Sequence, residues 1–136
     1  MKTIEWDDEW TLGNSVIDEQ HKVLVKLINK VISEDIRTRD LLQGLIDYTS
    51  QHFADEEQLM FESGYDKDKY KSHKEEHKQI TKALLEISFA LVNNGDPELT
   101  NRFRQFCLDW FVLHFLGIDR QFATFLKGGA NVDPKQ

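Results

Sequence analysis

Only two prolines occur in the 136 residues, Pro97 and Pro134. Proline breaks a helix interior by removing an N–H donor and clashing with the preceding turn. Its scarcity leaves long stretches free to be helical, and in them apolar residues recur at helical steps. Ile17, His21, Leu24, Ile28 and Val31 are spaced by 4, 3, 4 and 3, which is one helix face. The pattern predicts helices over about 15–34, 39–63, 67–93 and 97–127. Thr38 and Asp66 are candidate N-caps, and Gly64 is a candidate left-handed residue closing the second helix. In "DPE", Asp96 caps the last helix and Pro97 takes its first position, where the missing N–H costs nothing.

The expected inner face of the second helix carries Leu42, Leu45, Thr49, His52, Glu56 and Leu59. That of the third carries Tyr70, His73, His77, Thr81, Leu84 and Leu91. The fourth presents Leu99, Phe103, Phe106, Trp110, either Leu113 or His114, Ile118 and Phe122. Short connections make successive helices antiparallel neighbours. The predicted fold is therefore all-α, an up-down-up-down antiparallel four-helix bundle forming one domain over residues 1–136, with an N-terminal extended segment. Trp6 and Trp10 in that segment are expected to cover one end of the bundle. Residues 129–136 read as a polar tail.

A formal charge of −7 argues against nucleic acid or an anionic membrane surface as partner. No window approaches 18 apolar residues, and the acidic start "MKTIEWDDEW" lacks the apolar run of a signal peptide. Cys107 is the sole cysteine, which excludes an intrachain disulfide and any cysteine-based zinc or iron–sulfur site. Cys107 itself reads as a small buried hydrophobe. A cytoplasmic location is the expectation.

Against this background the inner faces hold all five histidines: His21, His52, His73, His77 and His114. Glu56 follows His52 by four residues, and Asp119 follows His114 by five. Burying such groups without partners costs about 2–7 kcal/mol each. A pair such as "HKEEH" is weak evidence alone, because residues four apart are simply helix neighbours. Depth is more telling. With a rise of about 1.5 Å per residue, antiparallel packing puts all seven side chains in one layer, about 9–18 Å from one end. Scattered surface histidines have no reason to do so, and the joint pattern reads as a metal site.

Zinc, with four ligands, would leave three of the seven unused, so two ions are expected. Imidazole suits zinc, copper, iron and nickel, and carboxylates can bridge. Two octahedral irons offer twelve positions: five for histidines, four for bridging Glu56 and Asp119, two for a shared oxo or hydroxo group, and one left open. Five helical steps leave His114 and Asp119 about 140° out of line. Irregular, wider helix geometry near 114–119, eased by Gly117, is therefore predicted. Asp55, Glu57, Glu75 and Glu76 flank ligands but point about 100° away and read as solvated. One of them, or Asp18, Gln20 or Gln51, is expected to accept a proton from a ligand imidazole. Tyr70 reads as core.

These residues resemble the haemerythrins, specifically the bacterial single-domain type, over nearly the whole chain. The resemblance lies in "IDEQHKVLVKLIN", "HFADEEQLM", "HKEEH" and "WFVLHFLGID". It implies reversible O2 binding at a non-haem di-iron centre, by two-electron reduction of O2 to a bound hydroperoxide. Carried onto this sequence, one iron takes His73, His77 and His114. The other takes His21 and His52 and keeps the open position, and Glu56 and Asp119 bridge. Two positions depart from the common pattern. Asp66 stands where proline often follows Tyr65, and Phe115 follows His114 where isoleucine is frequent; its ring is expected to narrow the O2 pocket.

The expected function is thus O2 storage, delivery or scavenging, not catalysis, with O2 as the small ligand and no protein recipient of it nameable. The alternatives are an O2 or redox sensor module, or a di-iron redox enzyme acting on O2, peroxide or nitric oxide. The enzyme reading is disfavoured by the absence of any Glu-x-x-His pair, the mark of carboxylate-rich di-iron sites.

Overall fold

A computed structural model of the protein describes residues 3–33, 39–93 and 96–128. The helices are α1 (Ser15–Ser33), α2 (Arg39–Glu62), α3 (Lys67–Asn93) and α4 (Pro97–Trp110). A π-helical stretch, Phe111–Ile118, then leads into α5 (Asp119–Gly128). Trp110, Phe111 and Asp119 all keep right-handed helical backbone, so this last run is one unbroken rod. Helix α2 packs on α1 and α3, and α4 packs on α3 and α1. These contacts close a ring of sequential neighbours, the expected four-helix bundle.

Local chemistry sets the helix ends. Asn14 Oδ1 accepts from the Ile17 amide (3.1 Å) and starts α1, a cap the periodicity did not reveal. Asp66 Oδ2 accepts from the Asp68 and Lys69 amides at 3.1 and 3.0 Å and starts α3. Asp96 accepts from the Glu98 amide, with Pro97 next in line. Gly64 adopts φ +74° just past α2, a conformation L side chains rarely take. Thr38, the end of the first helix at Glu34 and the 129–136 tail lie outside the described residues.

The core is layered. One apolar cluster spans Leu24 to Val31 of α1 and reaches Phe103, Cys107 and Phe115 across the bundle. A smaller one gathers Leu12, Ile17, Met60, Tyr65, Phe122 and Phe125. Between them lies a buried polar layer containing His21, His52, Glu56, His73, His77, His114 and Asp119. On the fourth rod the inward position falls to His114, while Leu113 is 71% exposed. Leu59 and Tyr70 are only half-buried; Phe53, Met60 and Ile80 fill the α2–α3 interior instead.

The N-terminal segment departs from expectation. It does not cover an end of the bundle but runs along its side, antiparallel to α1. The Ile4 amide donates to Asn29 Oδ1 (2.7 Å), and Asn29 Nδ2 donates back to the Ile4 carbonyl (2.8 Å). At its other end Asp18 accepts from the Leu12 and Gly13 amides. Asn29 and Asp18 stand about 16 Å apart along the helix at its normal rise. The physical reason is the apolar seam between α1 and the π-helical stretch. Trp6 and Trp10 seal it by packing on Phe115 and Phe111.

Candidate metal centre

All seven side chains expected as ligands converge, from all four rods. Their donor atoms form two groups, each within 4.8 Å: Glu56, His73, His77, His114 and Asp119, and His21, His52, Glu56 and Asp119. Both groups contain Glu56 and Asp119, and each carboxylate divides its oxygens between them. Glu56 Oε1 lies 3.0 Å from His73 Nε2 and 3.2 Å from His77 Nε2. Asp119 Oδ1 lies 2.9 Å from His73 Nε2 and 3.0 Å from His114 Nε2. The other oxygens face the second group. Glu56 Oε2 is 3.4 Å from His21 Nε2 and 3.8 Å from His52 Nε2, and Asp119 Oδ2 is 3.4 Å from His21 Nε2.

The π-helical stretch is what lets Asp119 take part. Its wider turn removes the misalignment that a regular helix imposes on residues five apart. The Asp119 amide bonds the His114 carbonyl across that turn. Gly117 lies within it and is exposed.

Three of the histidine rings are oriented from behind. His77 Nδ1 is 2.9 Å from Glu57 Oε2, and His114 Nδ1 is 2.8 Å from Glu76 Oε1. A carboxylate only accepts, so each Nδ1 carries a proton, and in the neutral ring it is Nε2 that turns its lone pair inward. The two Nε2 atoms stand 3.1 Å apart, a spacing that requires either a proton or a metal cation between them. His52 Nδ1 donates to Gln20 Oε1 (2.9 Å); Gln20 Nε2 donates to Asp55 (2.6 Å), which also accepts from Gln51. The expectation that Asp55, Glu57 and Glu76 are merely solvated is thus overturned. Glu57 and Glu76 point into the seams between helices toward rings on the neighbouring rod, and Asp55 holds the Gln20 amide that accepts from His52. Glu75 accepts from Gln79 along α3, and Asp18 serves the N-terminal turn.

The donor set fits metal. His21 Nε2, His73 Nε2, both Glu56 oxygens and Asp119 Oδ1 are buried without an aligned hydrogen bond, although close contacts surround them. They point at common centres rather than at each other. Ligands at right angles on bonds of about 2.1 Å stand about 3.0 Å apart, matching the 2.9–3.2 Å edges of the first group.

Charge balance agrees. Burial lowers the affinity of His21 and His73 for protons, yet Asp119 and Glu56 outweigh it and hold both near a pKa of about 9. His114 is buried too, but Asp119 and Glu76 raise it to about 10. For His52 burial prevails, and its pKa falls to about 4. Glu56 and Asp119 are pushed up by burial and mutual repulsion, but the imidazoles hold both well below the usual carboxylate range. In the metal-free protein, protons on these imidazoles offset the two buried carboxylates, a positive charge that bound metal would supply instead.

On the His21 and His52 side lies a cavity of about 20 Å³. Leu24, Ile28, Phe53, Trp110, Phe111 and Phe115 wall it. The Phe115 ring stands edge-on to His21 with centroids 4.4 Å apart, which fits the expectation that it narrows a pocket here.

Residues 12–126 match the family model "Hemerythrin HHE cation binding domain". The chain belongs to the haemerythrin family. A Bacteriohemerythrin from Stenotrophomonas maltophilia is 28% identical, covering 96% of this chain and 86% of that protein. A Hemerythrin-like protein from Naegleria gruberi is 32% identical, covering 89% and 92%. A Bacteriohemerythrin from Pseudomonas aeruginosa is 34% identical over 63% of this chain and 58% of its own length. The haemerythrin fold and a histidine–carboxylate cluster suited to metal are thereby in place. Among the described residues no helix is long and apolar enough to cross a membrane.

Proposed function

We propose that this haemerythrin domain binds O2 reversibly at a pair of irons held by His21, His52, Glu56, His73, His77, His114 and Asp119. One observation carries the reading: both buried carboxylates divide their oxygens between two groups of histidines, one oxygen of each meeting the group of His73, His77 and His114 and the other the group of His21 and His52. That is the donor arrangement of two bridged ions with unequal coordination. In the proposed ligation, His73, His77 and His114 fill one ion, and His21 and His52 leave a position open on the other, beside the small cavity. Bound ferrous iron supplies the electrons and the coordination position that O2 requires.

The chain's own residues do the rest. The cavity exceeds the 10–15 Å³ needed for one water-sized molecule and has apolar walls, so it suits a diatomic gas better than bulk water. Glu57, Glu76 and Gln20 fix the rotation and tautomer of three ligand rings, as carboxylate and carbonyl partners do at other metal sites. With five imidazoles and two carboxylates, the site carries little negative charge to stabilise highly oxidised iron, which favours binding over catalysis.

The deciding experiment is iron per chain measured together with absorption during anaerobic titration with O2. Two irons and a spectral change reversed by removing O2 are expected. One metal per chain, or no O2-dependent band, overturns the proposal.

A further inference from the structure

The outer face between α2 and α3 carries an open groove of about 1180 Å³. Lys67, Lys71, Lys74, Lys78 and Lys82 line it, all exposed. Their spacing of 4, 3, 4 and 4 sets them on one stripe of α3 about 22 Å long. Five of the chain's lysines thus converge on one face of a protein whose formal charge is −7. The two carboxylates lining the groove are both engaged, Glu57 with His77 and Glu75 with Gln79. Beneath the lysines the floor is apolar, and Phe61 and Leu85 remain 71% and 49% exposed.

The groove also reaches the candidate centre. Phe53 and His77 line it. The Phe53 ring lies flat on the His77 ring, centroids 3.8 Å apart and 8° from parallel. Glu57, 26% exposed, bonds the outer nitrogen of His77. The small cavity beside His21 and His52 lies on the other side of Phe53, which lines both, and is walled mainly by α1 and the π-helical stretch.

From the lysine stripe, its apolar floor and the contact with His77, we propose that the α2–α3 groove docks a small acidic protein that donates single electrons. A basic, partly apolar, open surface suits a transient redox encounter, which buries under about 1,200 Å² and relies on charge for its rate. Its length and openness exceed what a small-molecule pocket of about 300–1,000 Å³ needs. Each encounter moves one electron from the reduced donor inward past Phe53 and His77, and the donor leaves oxidised. With a pair of ferric ions bound, two such encounters would supply the two electrons that their reduction to ferrous needs. Electrons then enter on one side of the bundle and O2 on the other. The proposal rests on the di-iron reading for its chemistry, but not for its docking.

The test uses a reduced, strongly acidic [2Fe–2S] ferredoxin as probe. Carbodiimide cross-linking to the full chain, mapped by mass spectrometry, reports docking irrespective of metal content. Links to Lys71, Lys74, Lys78 or Lys82 are expected. Reduction of the air-oxidised protein by the same donor should slow with added salt. It should fall about tenfold or more in Lys71→Glu/Lys74→Glu/Lys78→Glu, the range of electrostatic steering. The charge-matched control Lys26→Glu/Lys30→Glu/Lys127→Glu, on other helices, should keep most of the rate. Links confined to other lysines, the absence of links, or equal slowing in the control overturns the proposal. So does a homodimer that covers the groove. Cross-linking at the stripe by a chain without two irons would retain the docking and refute only the di-iron reading.

Discussion

The substitution Phe115→Ala tests whether the ring guards the candidate O2 cavity or merely fills space. Phe115 is 7% exposed, stacks on Phe111 (4.9 Å) and stands edge-on over His21. Aromatic side chains bury about 150–250 Å², of which alanine retains roughly a third, so at about 25 cal/mol per Å² the transfer loss is about 3–4 kcal/mol. An unrelaxed cavity brings the total to about 3–5 kcal/mol. The vacated space, on the order of 100 Å³, opens onto the existing cavity and by itself admits about three waters at roughly 30 Å³ each. Water beside His21 should speed oxidation of the O2-bound form by about tenfold or more, equivalent to about 1.4 kcal/mol of barrier. Urea denaturation of the iron-loaded protein measures the first effect, and decay of the O2-dependent absorption in air-saturated buffer the second. Phe115→Leu, which removes less volume, should fall between. An alanine variant that loses the predicted stability yet oxidises at the parent rate would show that the ring is packing only.

Removing the acceptor behind a ring, in Glu57→Ala, Glu76→Ala or Gln20→Ala, should weaken metal binding about 10–100-fold, read by chelator competition. Leaving affinity unchanged in all three would refute their orienting role. In the metal-free protein, His21 and His73 at about 9 and His114 at about 10 lie above the unfolded value of 6.5. Their stabilisation is full below pH 6.5 and is lost as pH rises through 9–10. His52, lowered to about 4, acts oppositely and costs stability as pH falls from 6.5 toward 4. Urea midpoints of chelator-stripped protein should therefore drop between pH 6.5 and 9.5, and a flat profile contradicts the assignment. Asn29→Ala removes both hydrogen bonds to Ile4, worth about 1–3 kcal/mol together. Faster proteolysis within residues 3–14 is the expected sign, and unaltered cleavage would show that the tryptophans alone hold the segment.

Much of the fold was legible because its signals are local. The step pattern of α1, the cap at Asp96, the proline beside it and the glycine after α2 each act within a few residues. The layer of seven polar side chains was legible because helix rise converts sequence position into depth. Even the π-helical stretch was anticipated, since His114 and Asp119 cannot share a face of a regular helix. What escaped depends on pairing between rods. Glu57 and Glu76 lie one residue from ligands and look exposed on a single helix. Only the α2–α3 and α3–α4 seams show that each reaches a ring, one on His77 and the other on His114. The side-on course of residues 3–14 was hidden likewise, because it answers to a seam formed only where Phe111 and Phe115 pack beside α1.

The unequal halves of the site follow from that same geometry. Helix α3 contributes two histidines one turn apart, so its side of the layer is crowded, with edges of 2.9–3.2 Å. Helix α1 contributes His21 alone, followed by Leu24, Val25 and Ile28, and its side is looser, at 3.4–3.8 Å. The missing donor on α1 and the apolar residues above it leave the small cavity where a sixth ligand would stand. On the opposite face α3 turns its lysines outward at the same helical period that turns His73 and His77 inward. A single helix repeat thereby supplies both the crowded side of the polar layer and the charged surface behind it, while α1 borders the small cavity.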